Sequence, residues 1–481
     1  MNLGHLRMSK SGAERRPFWR SIVAVATLTA FTSMSAATLD IIPSTAVAAG
    51  GDHAAQWQQF SSGLKGKYAG KKIRLIMIND PFLPAFNKMA DAFSALSGAK
   101  VSVDTFGYDA TYQKEVLACG QNDKTYDIIV FDVPWTQKFV PCTDSLNAYV
   151  KKTDATLLQY DDFFPVMREA SQWNNEIVGF PFAPYFVLQS YNAKYYKALG
   201  LQPAKTLDQF VSNAATATKN EKLPAVYGTS MNNQSGSAVG QAFFEYIYNF
   251  PGGKPFTSEY PGSAKPYANM TPLFASKQGI AVVDLFKKLI ASQPPGALNS
   301  AWQSRQTAFA TGHVAAVNEW DVTTPSLSDP TQSTVVNDFA TADFPSNGKL
   351  VTQVGGWTMG INKYGTQKDI AWDFIKWFTS PETALAFSKA GGFPQRTSLL
   401  ANADLNKQYP WYASLKTSVP TAFADCRPRV SQSFDIINTL GTYIGKALAG
   451  SMSSKDAMLG ADREIGTMLK KAGYRVDSLT D

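Results

Sequence analysis

Glu319-Trp320-Asp321 places two carboxylates around one indole in a chain of 481 residues. Asp132 and Trp135 repeat the combination a few residues apart, and Asn79-Asp80-Pro81-Phe82 sets another carboxylate beside a ring. Gly355-Gly356-Trp357 adds an indole behind two glycines, which let backbone approach a ligand closely. Asn232-Asn233-Gln234 is a run of amide donors and acceptors. Arg396 follows the turn Gly391-Gly392-Phe393-Pro394 and offers a guanidinium to a hydroxyl or a carboxylate. Flat faces that stack on C–H surfaces, with planar groups that bind hydroxyls in pairs, are the chemistry of carbohydrate or polyol recognition. The same indoles and carboxylates would cage a polyamine or another cation, and a carboxylate pair can hydrolyse a glycoside. Each residue also has a plainer reading. Asp80 and Asp132 suit turn or helix caps, Trp135, Trp320 and Trp357 suit a core, Asn233 and Gln234 a polar loop, and Arg396 a surface.

Other chemistries lack their residues. The three histidines are His5, His53 and His313, and the three cysteines are Cys119, Cys142 and Cys426. No zinc-finger spacing and no HExxH occurs, and neither GxSxG, GxxxxGK[ST] nor a GxGxxG after a strand is present. No metal or cofactor is implied. A histidine-based acid, base or nucleophile has almost nothing to draw on.

The elements that would position the candidate groups follow a strand–helix alternation. Lys72–Ile78 is a short apolar run that stops at Asn79-Asp80-Pro81, as a buried strand does. Phe86, Met89, Ala90, Phe93 and Leu96 recur at helical spacing, and Gly98 closes that helix. Val101–Phe106 alternates as a strand, Tyr112–Leu117 begins a helix, and Tyr126–Asp132 is a third strand. That order predicts a parallel sheet covered by helices, with ligands beyond the carboxyl ends of its strands. Those ends are Asn79–Phe82, Tyr108-Asp109 and Asp132–Trp135. Helices are expected over Leu207–Thr218, Val239–Tyr248 and Gly279–Ala291. A strand is expected at Gly355–Ile361 and a helix over Ile370–Phe378. Ser380-Pro381-Glu382 reads as a capped start to the next helix.

Composition agrees with a multi-lobed globular chain: 44% hydrophobic, 17% charged and 12% aromatic residues. Lys and Arg number 45 against 38 Asp and Glu, a net charge of +7. Five of those cations and two of the acids lie in the first 49 residues, so the remainder stands near +4 with no basic run. Nucleic acid is therefore not an expected partner. Residues 1–49 read as an export signal. Paired Arg15 and Arg16 precede Pro17-Phe18-Trp19-Arg20 in the manner of a twin-arginine signal, an apolar stretch follows, and cleavage is expected near Ala48. In an exported chain, Cys119 and Cys142 flank one strand and could close a short disulfide loop; three separate thiols is the alternative.

Five stretches, in order, resemble the sugar-binding family of bacterial ABC-importer solute-binding proteins. They are Tyr126–Trp135 with Phe139–Tyr149, Gly179–Tyr196, Phe309–Trp320, Gly355–Glu382 and Gly391–Arg396. The resemblance covers about Lys71 to Leu469. It implies an α/β, two-lobed periplasmic-binding-protein fold, each lobe a sheet flanked by helices, closing like a hinged clam. A first lobe is expected from 50–183 and 350–400, and a second from 186–345 and 402–481. It places Tyr185 where the crossover enters the cleft, and Asn233 and Gln234 on a loop that meets ligand. The expected substrate-binding set is thus Asp80, Phe82, Asp132, Trp135, Tyr185, Asn233, Gln234, Glu319, Trp320, Asp321, Gly356, Trp357 and Arg396. The implied protein is a periplasmic monomer and not an enzyme, taking a carbohydrate or polyol to a membrane permease. A polyamine binder or a secreted glycoside hydrolase is the alternative.

Overall fold

The computed structural model describes residues 51–224, 226–258 and 269–477. The export-signal reading of residues 1–49 lies outside them. Among the described residues, one sheet has eight strands: β1 (Lys72–Ile78), β2 (Lys100–Phe106), β3 (Ile128–Asp132), β4 (Phe180–Asn192), β5 (Tyr227–Thr229), β6 (Val314–Trp320), β7 (Phe339–Ala342) and β8 (Val354–Ile361). The strand order is β2-β1-β3-β8-β4-β6-β5, and β7 pairs β4 as well. β1 runs parallel to β2 and β3, as the alternation in the sequence predicts. β8 returns antiparallel between β3 and β4.

β4 joins the two lobes of this α/β fold. Its first half, Phe180–Phe186, pairs β8; its second half, Val187–Tyr191, pairs β6. A strand of 13 residues, twelve of them buried, can serve both halves because it is apolar on both faces where helices cover it. β3 is buried along its whole length for the same reason.

The helices that matter for the site are α1 (Leu83–Ser97), α2 (Tyr108–Gly120), α3 (Ser237–Ile247), α4 (Lys277–Ile290), α5 (Trp302–Ala310), α6 (Lys368–Thr379), α7 (Pro381–Lys389), α8 (Ser433–Leu448) and α9 (Ser454–Lys471). α1 buries Phe86, Met89 and Phe93 and ends at Gly98 in the left-handed region. Phe93 meets Phe374 of α6 edge-on at 5.1 Å. The Ser380 hydroxyl caps α7 by accepting from the Thr383 N–H. α3 is buried throughout and lies close against α8, where Gly240 and Gly441 leave no room for a Cβ between the backbones. Trp411, Tyr412, Leu415 and Cys426 pack with Phe164, Met167, Phe186 and Leu385. That cluster carries the 422–431 segment over the end of β3.

Cys119 and Cys142 form a disulfide, Cα atoms 5.4 Å apart, tying the end of α2 to the segment after β3. Cys426 is a buried free thiol whose pKa burial pushes up to about 11.

Candidate functional site

A cavity of about 840 Å³ opens beyond the carboxyl ends of β1 and β3, within the range of small-molecule sites. β1 brings Asp80, β3 brings Asp132, and the start of α2 brings Tyr108. Tyr185 enters from β4 and Gly356-Trp357 from β8. The opposite wall carries Gln234 and Gln241, Trp302 and Arg305 of α5, and Trp320 at the end of β6. Arg427 completes the lining.

The polar groups come in matched sets. Arg427 donates Nη1 to Asp132 Oδ2 (2.7 Å) and Nη2 to Oδ1 (2.9 Å), a bidentate pair with both side chains almost fully buried. The Tyr108 hydroxyl donates to the same Oδ2 at 2.7 Å. Asp80 Oδ2 accepts from the Tyr185 hydroxyl at 2.9 Å. Burial pushes the Asp80 carboxyl up to about 7; Tyr185 opposes that rise and the Asp132 charge adds to it. The Arg427 guanidinium lies 5.9 Å from the centre of the Trp320 ring. Trp302 Nε1 donates to Gln241 Oε1 at 3.1 Å, and its ring sits 5.3 Å from that of Tyr108.

Local backbone explains two of these placements. Gly356 has φ +125°, in the region that L side chains avoid, and a Cβ there would collide with the Ala183 carbonyl. The β8–β4 register shifts between Trp357 and Thr358, next to that glycine. A Cβ on Gly355 would stand 2.9 Å from the Trp320 indole, so its absence seats that ring.

Of the residues expected from sequence, Asp80, Asp132, Tyr185, Gln234, Trp320, Gly356 and Trp357 line the cavity. The others lie elsewhere. Phe82 is 1% exposed and packs among Phe86, Phe182, Phe387 and Phe393, because the start of α1 turns it into the core. Trp135 is also core: the short 3₁₀ turn Val133–Trp135 rotates its indole onto Tyr112 (4.9 Å) and Trp357 (5.6 Å). Asn233 ties its own loop, donating Nδ2 to Gln293 Oε1 (2.7 Å) and to the Ala297 carbonyl (3.0 Å). Asp321 accepts the Phe186 N–H at 2.8 Å and so fixes β4, and Glu319 is buried behind the wall. Arg396, 1% exposed, gives its N–H groups to the carbonyls of Thr379 (2.8 Å), Gln159 (2.9 Å) and Leu158 (3.0 Å). It is a buried clamp between loops, far from a surface arginine.

Arg427, Trp302, Gln241 and Arg305 were not singled out by sequence. The one signal for Arg427 is its setting, Asp425-Cys426-Arg427-Pro428-Arg429, a charged cluster in an otherwise apolar tract.

Residues 79–385 match the family model described as bacterial extracellular solute-binding protein. A "Probable amino-acid ABC transporter periplasmic-binding protein" of Sinorhizobium fredii is 25% identical over 425 residues, 87% of this chain and 94% of that one. A mannitol-binding protein of Pseudomonas aeruginosa is 21% identical over 336 residues, 65% of this chain and 74% of that one. The crystal structure of an ABC-transporter solute-binding protein from Agrobacterium radiobacter K84, in complex with ribitol, superposes with TM-score 0.76 at 28% identity. It covers 83% of this chain and 99% of that one. With the family model spanning most of the described chain and a cavity at its sheet ends, the chain belongs to the bacterial extracellular solute-binding proteins.

Proposed function

We propose that this protein captures a polyol or small carbohydrate in the cavity and delivers it to the permease of an ABC importer. The observation that carries the reading is the internal compensation of the site's charge. Asp132 is neutralised by Arg427, and the Asp80 carboxyl, raised to about 7 by burial, accepts from the Tyr185 hydroxyl. What remains for a ligand is a dense set of donors and acceptors with little net charge, which suits hydroxyls that both donate and accept. The mannitol and ribitol named for two relatives have this chemistry.

An amino acid, as the name of the Sinorhizobium relative would suggest, needs one free cation and one free anion. Arg427 is already engaged by Asp132 and Arg305 stands 3.9 Å from Glu245, so a zwitterion would have to draw a cation away from a buried carboxylate. A hydrolase would need two available carboxylates, and Asp132 is held by both Arg427 and Tyr108. The protein acts after export to the periplasm, as a monomer, with its signal removed near Ala48. Its first lobe comprises 50–183 and 350–400, its second 186–345 and 402–481. Residues 402–430 brace the hinge, in keeping with their packing on Phe164 and Phe186.

A thermal-shift series with ribitol, D-mannitol, maltose, glutamate and putrescine tests this. A ligand present at about 100 times its Kd adds roughly 2.7 kcal/mol of stability. A shift with an alditol or sugar alone is expected. A shift with glutamate or putrescine alone overturns the reading in favour of an amino-acid or a cation binder.

A further inference from the structure

Arg305 reaches the cavity from α5 although only 2% of it is exposed. Its Nη1 donates to the Asn318 carbonyl at 2.8 Å and stands 3.9 Å from Glu245 Oε2, while its Nε has no partner. Behind it lie Glu245 of α3 and Glu319 of β6, 2% and 1% exposed. Neither Glu319 oxygen accepts a hydrogen bond, nor does Glu245 Oε1. The Thr323 hydroxyl beside Glu319 gives its proton to the Trp320 carbonyl at 2.9 Å. One buried carboxyl thus stands within ion-pair distance of the guanidinium, the second feels its charge, and four atoms of the three side chains lack partners.

Such a group of three is electrically balanced only when one carboxyl keeps its proton. Burial pushes both Glu245 and Glu319 up to about 7; Arg305 lowers each, and Arg427 also lowers Glu245. The remaining titratable neighbour is Tyr246 on α3, whose hydroxyl accepts from Asn318 Nδ2 at 3.0 Å and which burial keeps protonated.

We propose that Arg305 is a specificity-determining residue that donates to ligand hydroxyls from the α5 wall, and that Glu245 and Glu319 are positioning residues whose protonation governs its reach. This rests on the polyol reading above. With one carboxyl protonated, the guanidinium balances the other and keeps free N–H groups for the cavity. When that proton leaves, Glu319 offers a second carboxylate, and charge-assisted hydrogen bonds draw Arg305 back from the ligand. Affinity for a neutral polyol then falls as pH rises through neutrality.

Calorimetric titration of the full chain with ribitol and with D-mannitol, from about pH 6 to about pH 8.5, tests the proposal against E319Q and R305K. The wild type is expected to bind about tenfold more weakly at the alkaline end, the change that one proton over one pH unit produces. E319Q, nearly isosteric, should show a shallower slope than wild type, keeping only the part that Asp80 in the cavity contributes. R305K should bind about tenfold more weakly than wild type at about pH 6, because an ammonium lacks the planar fork, and should approach wild type at about pH 8.5, where Arg305 no longer reaches the ligand. Melting curves establish that both variants are folded. Equal pH slopes for wild type and E319Q, or wild-type affinity in R305K at about pH 6, would overturn this proposal and leave the polyol reading intact. A folded wild type that binds neither polyol overturns both.

Discussion

Arg427 and Asp132 are 295 residues apart in sequence, yet they meet in a two-point pair beneath the cavity with N–O distances of 2.7 and 2.9 Å. Both are nearly without solvent exposure, so neither charge can be relieved by water if its partner goes. Replacing Arg427 with Ala should cost about 3–5 kcal/mol, the usual penalty for orphaning a buried charge. The double variant D132L/R427M should recover much of that stability without recovering ligand binding. Denaturant unfolding and ligand titration of the three proteins check this. Retained binding in D132L/R427M would remove the pair from the site.

Stability should decline as pH rises from about 4.5 to about 7. Burial pushes Asp321 up to about 7 in the folded chain, and Glu245 and Glu319 likewise, that pair counting for one proton opposite Arg305, from ordinary values near 4. Between those limits the folded state binds more protons than the unfolded state, so each pH increment favours unfolding. Above about 7 the carboxyls are ionised in both states and the slope disappears. Asp80 shifts in the same direction but is partly open to the cavity, so its share is smaller. Melting temperatures in matched buffers should fall by several degrees between about pH 5 and about pH 7.5. A flat or rising profile contradicts the assignment of buried neutral carboxyls.

The sheet ends were legible in the sequence because a parallel sheet obeys local rules. The apolar run Ile128–Phe131 announces a strand covered on both faces, and Asp80 and Asp132 follow from where such strands stop. What local pattern does not carry is the direction of a side chain just past a strand. Trp135 is three residues beyond Asp132, but a single 3₁₀ turn decides that it faces Tyr112 instead of ligand. Long-range partners are equally hidden. Arg396 looks like a turn-following surface arginine until Leu158, Gln159 and Thr379 present their carbonyls to it. Arg427 becomes a site residue through an aspartate on the far side of the chain.

Arg396 and the cavity should therefore separate in mutagenesis. R396A takes the guanidinium donors from the Leu158 and Thr379 carbonyls, leaves Gln159 only the Asp162 N–H, and removes the cation 3.6 Å from Asp162. Several kcal/mol of stability should be lost. Ligand affinity of the folded fraction, measured by titration well below the melting temperature, should match wild type. Weakened binding at full folding would return Arg396 to the site.

Gly356 should behave in the opposite way, through a single methyl group. Its φ of +125° is open to glycine and strained for any residue with a Cβ, at a cost of about 1–3 kcal/mol. The added atom would also meet the Ala183 carbonyl on β4, so β8 must move away from β4 to admit it. Trp357 is the next residue and Trp320 packs on the preceding Gly355, so that movement displaces two rings of the cavity wall at once. G356A is expected to lower the melting temperature by several degrees and to weaken polyol binding more than tenfold, since misplacing two walls removes contacts on both sides of the ligand. G355A, with φ outside the strained region, presses first on the Trp320 indole, so it should weaken binding with a smaller loss of stability. The comparison of the two variants distinguishes backbone strain from ring displacement. Equal effects of both on melting would mean that the strain at Gly356 is absorbed elsewhere in β8.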